Sequence, residues 1–256
     1  MTKLSRTQFF ATIAPIVMFV RQQGSPILPS VRLAQSLLET GGDIPAWNNL
    51  GGVKVGSGKQ TAYWRGDAVM KETWEFRSGA NVKEQGAFRA YRTLYHYYKD
   101  QDVLFQNSRY RKVATARTAN EQADQLQAAG YATDPSYATK LIALIKQHNL
   151  EQYDVVSVQA KVPKAFADAV IVPVFSEQHF IATAYYQQYT NYVPVRKVAE
   201  YLGANVLWKD KTVYVDGKVI DVIVADGVSY AKAGQLSYML NLSVEWDNYA
   251  KVLFIH

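Results

Sequence analysis

A chain of 256 residues with a formal charge of +6 and no cysteine is long enough for one or two domains with a proper core, and it excludes disulfides, thiol nucleophiles and cysteine zinc sites. Its four histidines, His96, His148, His179 and His256, stand too far apart for a His-x-x-x-His ligand pair, so no metal and no cofactor is expected. The 28 basic residues are spread along the chain with no nucleic-acid motif beside them, which leaves a polyanion other than nucleic acid, or plain solubility, to explain the charge.

Taken in chain order, Lys3 and Arg6 precede an apolar run at 9–20 that imitates a secretory signal. Pro15 interrupts the run and no small-x-small cleavage site follows, so it reads as a structural helix without an export signal. It is also too short to span a bilayer, which takes about 20 apolar residues. Next, Ser30-Val31-Arg32-Leu33-Ala34-Gln35-Ser36-Leu37-Leu38-Glu39-Thr40-Gly41-Gly42 predicts a helix capped by Ser30, buried along Val31, Leu33, Ala34, Leu37 and Leu38, and stopped by Gly41 or Gly42. Glu39 then sits in the last turn, where the helix dipole disfavours an anion. Partial burial would raise its pKa further, which suits a general acid, although a surface Glu at a helix end is the competing reading.

Gly56-Ser57-Gly58-Lys59 mimics part of a phosphate loop but lacks the leading glycine, has Gln60 for Ser/Thr, and stands in no parallel-sheet pattern. Residues 69–76 with the turn Ser78-Gly79-Ala80-Asn81 predict one arm of a hairpin, placing Glu75 on a strand. Thr118-Ala119-Asn120-Glu121 predicts a capping box opening a helix that ends at Gly130. Asp134 with Pro135 predicts the start of another, buried along Leu141, Leu144 and Ile145. Tyr131 falls on the short loop between them. After Asp154, Pro163 and Pro173 mark a connecting region at 155–180, and two 38-residue units follow, 181–218 and 219–256, pairing Tyr192 with Tyr230, Leu202 with Leu240 and Trp208 with Trp246. Their aromatic residues are read as core rather than as sugar platforms.

Ala34-Gln35-Ser36-Leu37-Leu38-Glu39-Thr40-Gly41 resembles the A-Q-x-x-L-E-[ST]-G signature of the glucosaminidases of glycoside hydrolase family 73, lysozyme-like enzymes that cut bacterial peptidoglycan. The run from Phe10 to Pro15 with Ile27-Leu28-Pro29-Ser30 resembles the family's first helix and its I-x-P-S entry to the second. Asn48-Asn49-Leu50-Gly51-Gly52-Val53-Lys54 resembles N-N-L-F-G-I-K, Thr73-Trp74-Glu75-Phe76 resembles T-x-E-Y, Phe88-Arg89-Ala90-Tyr91 resembles F-R-x-Y, and Gly130-Tyr131-Ala132-Thr133-Asp134-Pro135-Ser136-Tyr137-Ala138 resembles G-Y-A-T-D-P-x-Y-A. Two departures flank the acid: Gly42 stands where the family often has Trp, and Gly51 where it has Phe. In the repeats, Tyr192-Val193-Pro194-Val195-Arg196-Lys197-Val198-Ala199-Glu200-Tyr201-Leu202-Gly203-Ala204 resembles the copper amine oxidase N-terminal-like, or stalk, domains of bacterial wall proteins, without copper ligands.

The resemblance implies an α+β protein: a mainly helical lysozyme-like catalytic domain with a small hairpin at 1–154, and a smaller two-repeat stalk or wall-attachment domain at 181–256. It implies an endo-β-N-acetylglucosaminidase with Glu39 as acid, Glu75 as second carboxylate and Tyr131 near the acetamido group. Asn49, Lys54, Trp47, Trp64, Tyr110 and Tyr137 are the substrate-binding candidates, with Tyr63 a further aromatic. The expected partner is the peptidoglycan glycan strand, with anionic wall polymers attracted by the charge, and neither nucleic acid nor membrane insertion. Without an export signal the chain would be a phage lysin held in the host cytoplasm and released through a holin, or otherwise an autolysin. A muramidase or lytic transglycosylase on a similar fold, and a non-catalytic wall-binding protein, are the alternatives.

Overall fold

Residues 4–77, 80–155 and 162–256 are described in the structure, a computed structural model, with 73–77 and 80–82 described by backbone alone. The chain divides into two units, Met1–Gln159 and Ala160–His256. The first contains α1 (Arg6–Gln22), α2 (Pro29–Thr40), a hairpin of β1 (Ala68–Arg77) and β2 (Ala80–Arg89), then α3 (Leu94–Phe105), α4 (Arg111–Thr115), α5 (Ala119–Ala128) and α6 (Tyr137–Gln147). Among the described residues no helix is long and apolar enough to cross a membrane.

The apolar run near the N-terminus folds as α1, which opens on a reciprocal Ser5–Gln8 capping box and buries Phe9, Ile13, Val17 and Val20. Helix α2 departs from expectation at its start. Leu28 occupies the cap position, Pro29 the first turn, and Ser30 lies inside the helix. The orphan amides there are met from far along the chain: Leu28 N–H donates to Gln122 Oε1 at 2.7 Å, and Ser30 N–H and Oγ donate to the two oxygens of Asp154 at 2.8 and 2.6 Å.

Nor does α2 bury a single stripe. Val31, Leu33, Ala34 and Leu37 are buried and Leu38 half-buried, but Arg32, Gln35 and Ser36 are buried too. Polar side chains at these positions need partners inside the protein. Helix α3 supplies them for Arg32 and Ser36, and Tyr137 of α6 for Gln35. Arg32 is ion-paired to Asp102 (Nη2–Oδ1 2.5 Å) and donates to the Tyr98 carbonyl, while Ser36 shares a hydrogen bond with the Tyr98 hydroxyl. The first unit is therefore built around one central helix, and the last turn of that helix carries Glu39.

In α5, Thr118 accepts from Glu121 N–H as expected, but Glu121 reaches back to the amide of Arg117 rather than that of Thr118. Asp134 does not cap α6. It accepts from Ser136 N–H in a turn that includes Pro135, and the helix begins at Tyr137.

The second unit carries β3 (Val170–Ser176), β4 (His179–Gln187), β5 (Thr190–Pro194), α7 (Val195–Tyr201), β6 (Val206–Lys209), β7 (Thr212–Val215), β8 (Lys218–Ile220), β9 (Ile223–Ala225), β10 (Val228–Lys232), α8 (Ala233–Met239), β11 (Val244–Asp247) and β12 (Val252–Ile255). Part of the expected connecting region is folded here. Phe166 is buried, and β3 lies inside a seven-stranded sheet of order β11-β12-β3-β4-β5-β10-β9. Pro173 is tolerated in β3 because the parallel pairing with β12 spans only Val174 and Phe175.

The repeat is visible in three dimensions. β5, α7 and β6 recur as β10, α8 and β11 at the sequence period, and β5 pairs antiparallel with β10 about Val193 and Ala231, which are equivalent residues. The hairpins diverge: β6 and β7 join β8 in a separate sheet, whereas β11 and β12 join β3.

Candidate active site

The acid candidate is placed by the end of α2. Gly41 takes the left-handed conformation (φ 63°) that closes the helix, and Thr40 Oγ1 donates to the Ser36 carbonyl at 2.7 Å while accepting from Gly42 N–H. The three residues of the E-[ST]-G element thus have distinct tasks: Glu39 presents a carboxyl, Thr40 locks the last turn and Gly41 ends it. Glu39 is exposed by area but stands among the walls of a cleft, and desolvation there raises its pKa above the ordinary carboxylate value. An anion at a helix C-terminus is disfavoured for the same sign of effect.

The cleft has a volume of about 870 Å³ and is lined by Glu39, Thr40, Asp43, Ile44, Pro45, Trp47, Asn49, Leu50 and Gly52 on one side, with Lys71 and Glu72 of β1 and Phe88 of β2 opposite. The loop at 47–55 runs along β2: Val55 N–H donates to the Ala87 carbonyl, Arg89 N–H to Val53, and Tyr91 N–H to Trp47, each at 2.9 Å. Asn49 holds that loop in shape. Its Nδ2 donates to the Val53 and Arg89 carbonyls and its Oδ1 accepts from Val53 N–H, so it organises the cleft wall with polar atoms already engaged.

The hairpin base is fixed by Asp100 of α3, whose buried carboxylate accepts from Arg89, Tyr91 and Thr61, each at 2.7 Å. This accounts for F-R-x-Y: Phe88 lines the cleft while Arg89 and Tyr91 anchor the strand beneath it.

Behind Glu39 lies an aromatic cluster. Tyr131 is half-buried, 5.8 Å from Phe105 in a stacked arrangement and 5.8 Å from Tyr137. Gln101 Nε2 donates to its hydroxyl at 2.9 Å, so the phenol's own hydrogen remains to be donated. Desolvation above all, with Glu39 and Tyr110 adding to it, pushes its pKa up to about 12. At neutral pH Tyr131 is therefore a neutral donor, not a base.

The other candidates divide. Trp47 is half-buried on the cleft wall with Lys71 Nζ 4.2 Å from its ring centre. Lys54 is exposed next to Val53, bridged through its backbone to Phe88. Three expected substrate contacts are corrected by burial. Trp64 is 2% exposed and donates to the Asp67 carbonyl, Tyr110 is 1% exposed and packs on Phe105, and Tyr137 is 2% exposed and accepts from Gln35. An aromatic ring closed off in this way offers no face to a sugar; these rings are core. Tyr63 is half-buried, with Lys99 Nζ 5.6 Å from its ring centre. Glu75 pairs in backbone register with Val82, and its side chain lies outside the described residues. The sequence reading missed Glu72 and Asp43, two further carboxylates lining the cleft. Glu72 is paired with Lys83 at 2.8 Å. The signal for Glu72 was its place on the same predicted strand as Glu75. Gly56-Ser57-Gly58-Lys59 forms an exposed turn with no helix after it, unlike a phosphate loop. Among the described residues no group of three or more His, Cys, Asp or Glu could hold a metal ion.

Both departures beside the acid have a steric reason. Arg6 Nη1 donates to the Gly41 carbonyl and fills the space over Gly42, whose φ of +92° also disfavours any side chain. A Cβ on Gly51 would stand 2.5 Å from the Tyr97 hydroxyl, so Tyr97 takes up the volume beside this position. Gly51→Ala is expected to cost about 1–3 kcal/mol through overpacking, and Tyr97→Phe in the same chain to recover most of it. Thermal melting of the two variants checks this; equal losses in both would show that the hydroxyl is not the obstacle.

The model of a family described as mannosyl-glycoprotein endo-beta-N-acetylglucosaminidase matches residues 20–150. The exo-glucosaminidase LytG of Bacillus subtilis is 34% identical over 145 residues, covering 53% of this chain and 49% of LytG. The peptidoglycan hydrolase FlgJ of Salmonella typhimurium is 40% identical over 119 residues, covering 45% of this chain and 38% of FlgJ. The chain thus spans half or less of the length of these relatives. Among solved structures, the catalytic domain of the autolysin Auto from Listeria monocytogenes is 26% identical with a TM-score of 0.50, over 60% of this chain and 91% of that one. With the family model covering just over half of its residues, including Glu39, the hairpin and Tyr131, the chain belongs to the glucosaminidase family, glycoside hydrolase family 73.

Proposed function

We propose that this chain is an endo-β-N-acetylglucosaminidase that hydrolyses the N-acetylglucosaminyl-β-1,4-N-acetylmuramyl bond of peptidoglycan at the bacterial cell wall. The observation that carries the proposal is the carboxyl of Glu39, held at the end of a buried helix in the cleft with its pKa raised by desolvation. Such a group stays protonated at higher pH than a free carboxyl and can give its proton to the leaving oxygen as the anomeric C–O bond breaks. Water completes the exchange, leaving a reducing N-acetylglucosamine end and a free 4-hydroxyl on the muramic acid. Tyr131, neutral and with its hydrogen available, is suited to donate to the acetamido group or to the cleft face of the developing cation. The net charge of +6 supports attraction to anionic wall polymers. For the second unit we propose the stalk or wall-attachment role, with 1–154 as the catalytic domain.

Glu75 is our candidate for the second carboxylate. It lies on β1, the strand whose Lys71 and Glu72 line the cleft, in backbone register with Val82 of β2. Glu72 and Asp43 are its competitors. Glu75→Gln is expected to lower turnover by about 10²–10⁴-fold, the range for a positioned acid or base, and Glu72→Gln and Asp43→Asn by much less. A large loss in Glu72→Gln with Glu75→Gln active would transfer the role.

The activity itself is tested by digesting purified peptidoglycan, reducing the products with borohydride and weighing them by mass spectrometry. Reduced N-acetylglucosamine ends on fragments of many lengths are expected. Reduced muramic acid ends would mean a muramidase, and disaccharides released alone would mean an exo mode of attack.

A further inference from the structure

The second unit has a groove of its own. It has a volume of about 670 Å³ and lies between the start of α7, the β6–β7 hairpin and β10. Trp208 on β6 lines it and is 47% exposed, which corrects the expectation that the repeated tryptophans are both core. Around the ring stand Arg196 and Glu200, paired with each other at 2.6 Å, together with Lys197, Ser229 and Tyr230. A large exposed aromatic ring ringed by charged and hydroxyl groups matches the two-sided chemistry of a sugar, with apolar C–H faces and polar edges. Two cations against one carboxylate give the groove a basic lining, complementary to a saccharide that bears carboxylates.

The duplication supplies an internal comparison. The equivalent face of the second repeat is a smaller groove of about 380 Å³ containing Tyr192, Lys232 and Gln235. There the residues equivalent to Arg196, Lys197 and Glu200 are Gly234, Gln235 and Tyr238. The tryptophan equivalent to Trp208 is Trp246, stacked on Tyr186 at 4.8 Å and half-buried. One copy has therefore packed its ring into the unit, with one cation and one carboxylate, Lys232 and Asp221, lining its groove, and the other presents its ring beside two cations and one carboxylate. A core requirement would act on both copies alike.

We infer that the Trp208 groove is an accessory binding site for the peptidoglycan glycan strand, with Trp208 as the platform for a sugar ring and Arg196 and Lys197 meeting the free carboxylates of the peptide substituents. This rests on the reading of the chain as a peptidoglycan hydrolase. A site of this kind raises the effective concentration of the catalytic unit on an insoluble substrate without altering the chemical step.

The test uses the full chain carrying Glu39→Gln, so that the substrate survives, and measures cosedimentation with peptidoglycan sacculi stripped of anionic polymers by acid. Adding Trp208→Ala is expected to weaken binding about tenfold, a loss typical of truncating an aromatic anchor. Arg196→Ala should weaken it less and reduce its salt dependence, and Gln235→Ala in the smaller groove should leave it unchanged. In a chain that retains Glu39, Trp208→Ala should keep full turnover on short soluble glycan fragments. Unchanged sedimentation of Trp208→Ala, with its melting curve also unchanged, would overturn the inference. A Trp208-dependent difference seen only with unstripped walls would overturn it too, in favour of anionic polymers. Failure of the underlying reading has a separate signature: the unmodified chain would then release no reducing ends from sacculi or fragments.

Discussion

Glu39→Gln is expected to lower turnover on peptidoglycan by about 10²–10⁴-fold while leaving the melting temperature of the first unit the same or slightly higher. The two halves of this expectation come from one cause. In the folded protein the Glu39 carboxyl is desolvated at a helix C-terminus, so its charged form is held less favourably than in the unfolded chain and its pKa is raised. The sign follows from linkage. With the folded pKa above the unfolded one, the protonated carboxyl contributes fully below the unfolded pKa, and that contribution is lost as pH rises through the folded pKa. An amide cannot ionise, so the variant escapes the loss on the alkaline side. For the same reason activity of the unmodified chain should fall as pH rises through the raised pKa of Glu39, because the acid is then without its proton. The pH dependence of kcat and a melting series on both proteins check the expectation. Retained activity with an intact fold would remove Glu39 from the acid's role, and a variant melting clearly lower would mean that the carboxylate is a structural partner.

What the sequence made legible follows from how local each signal is. The end of α2 could be read because Glu39, Thr40 and Gly41 act through their own backbone, and the α+β class because helix caps, a hairpin turn and an internal repeat are short-range patterns. Ser30 misled because it has the chemistry of a cap, but its hydroxyl and amide are committed to Asp154, 124 residues away. Trp64, Tyr110 and Tyr137 misled for a related reason. An aromatic residue is equally suited to a sugar platform and to a core, and only tertiary burial decides. Trp208 misled in the opposite direction, since a matched position in a repeat does not guarantee a matched environment. Asp100, Gln101 and Asp102 carried no local signal, because all three are buried and each is engaged by a group from another part of the chain: Arg89, Tyr131 and Arg32.

That last pair carries the largest expected effect on stability. Arg32 is 1% exposed, and its guanidinium is engaged by Asp102 Oδ1 and the Tyr98 carbonyl, with Ser25 Oγ donating to the same carboxylate oxygen at 2.7 Å. Lys99 stands 4.0 Å from the other oxygen, and burial lowers its pKa. Asp102→Ala would strand a buried cation, with a second amine nearby to repel it. Breaking a buried pair from one side costs about 3–5 kcal/mol, which for a unit of this size lowers the melting temperature on the order of 10 °C. Removing both charges is different: Arg32→Met with Asp102→Leu should recover much of the loss, because the desolvation penalty then disappears from both partners. Calorimetry on the full chain separates the outcomes, since the second unit contains neither residue and its own transition should stay where it is. A single mutant that melts normally would show that α2 and α3 do not depend on this pair. A double mutant as unstable as the single one would mean that the geometry of the two charges, rather than their neutralisation, fixes the helix that presents Glu39.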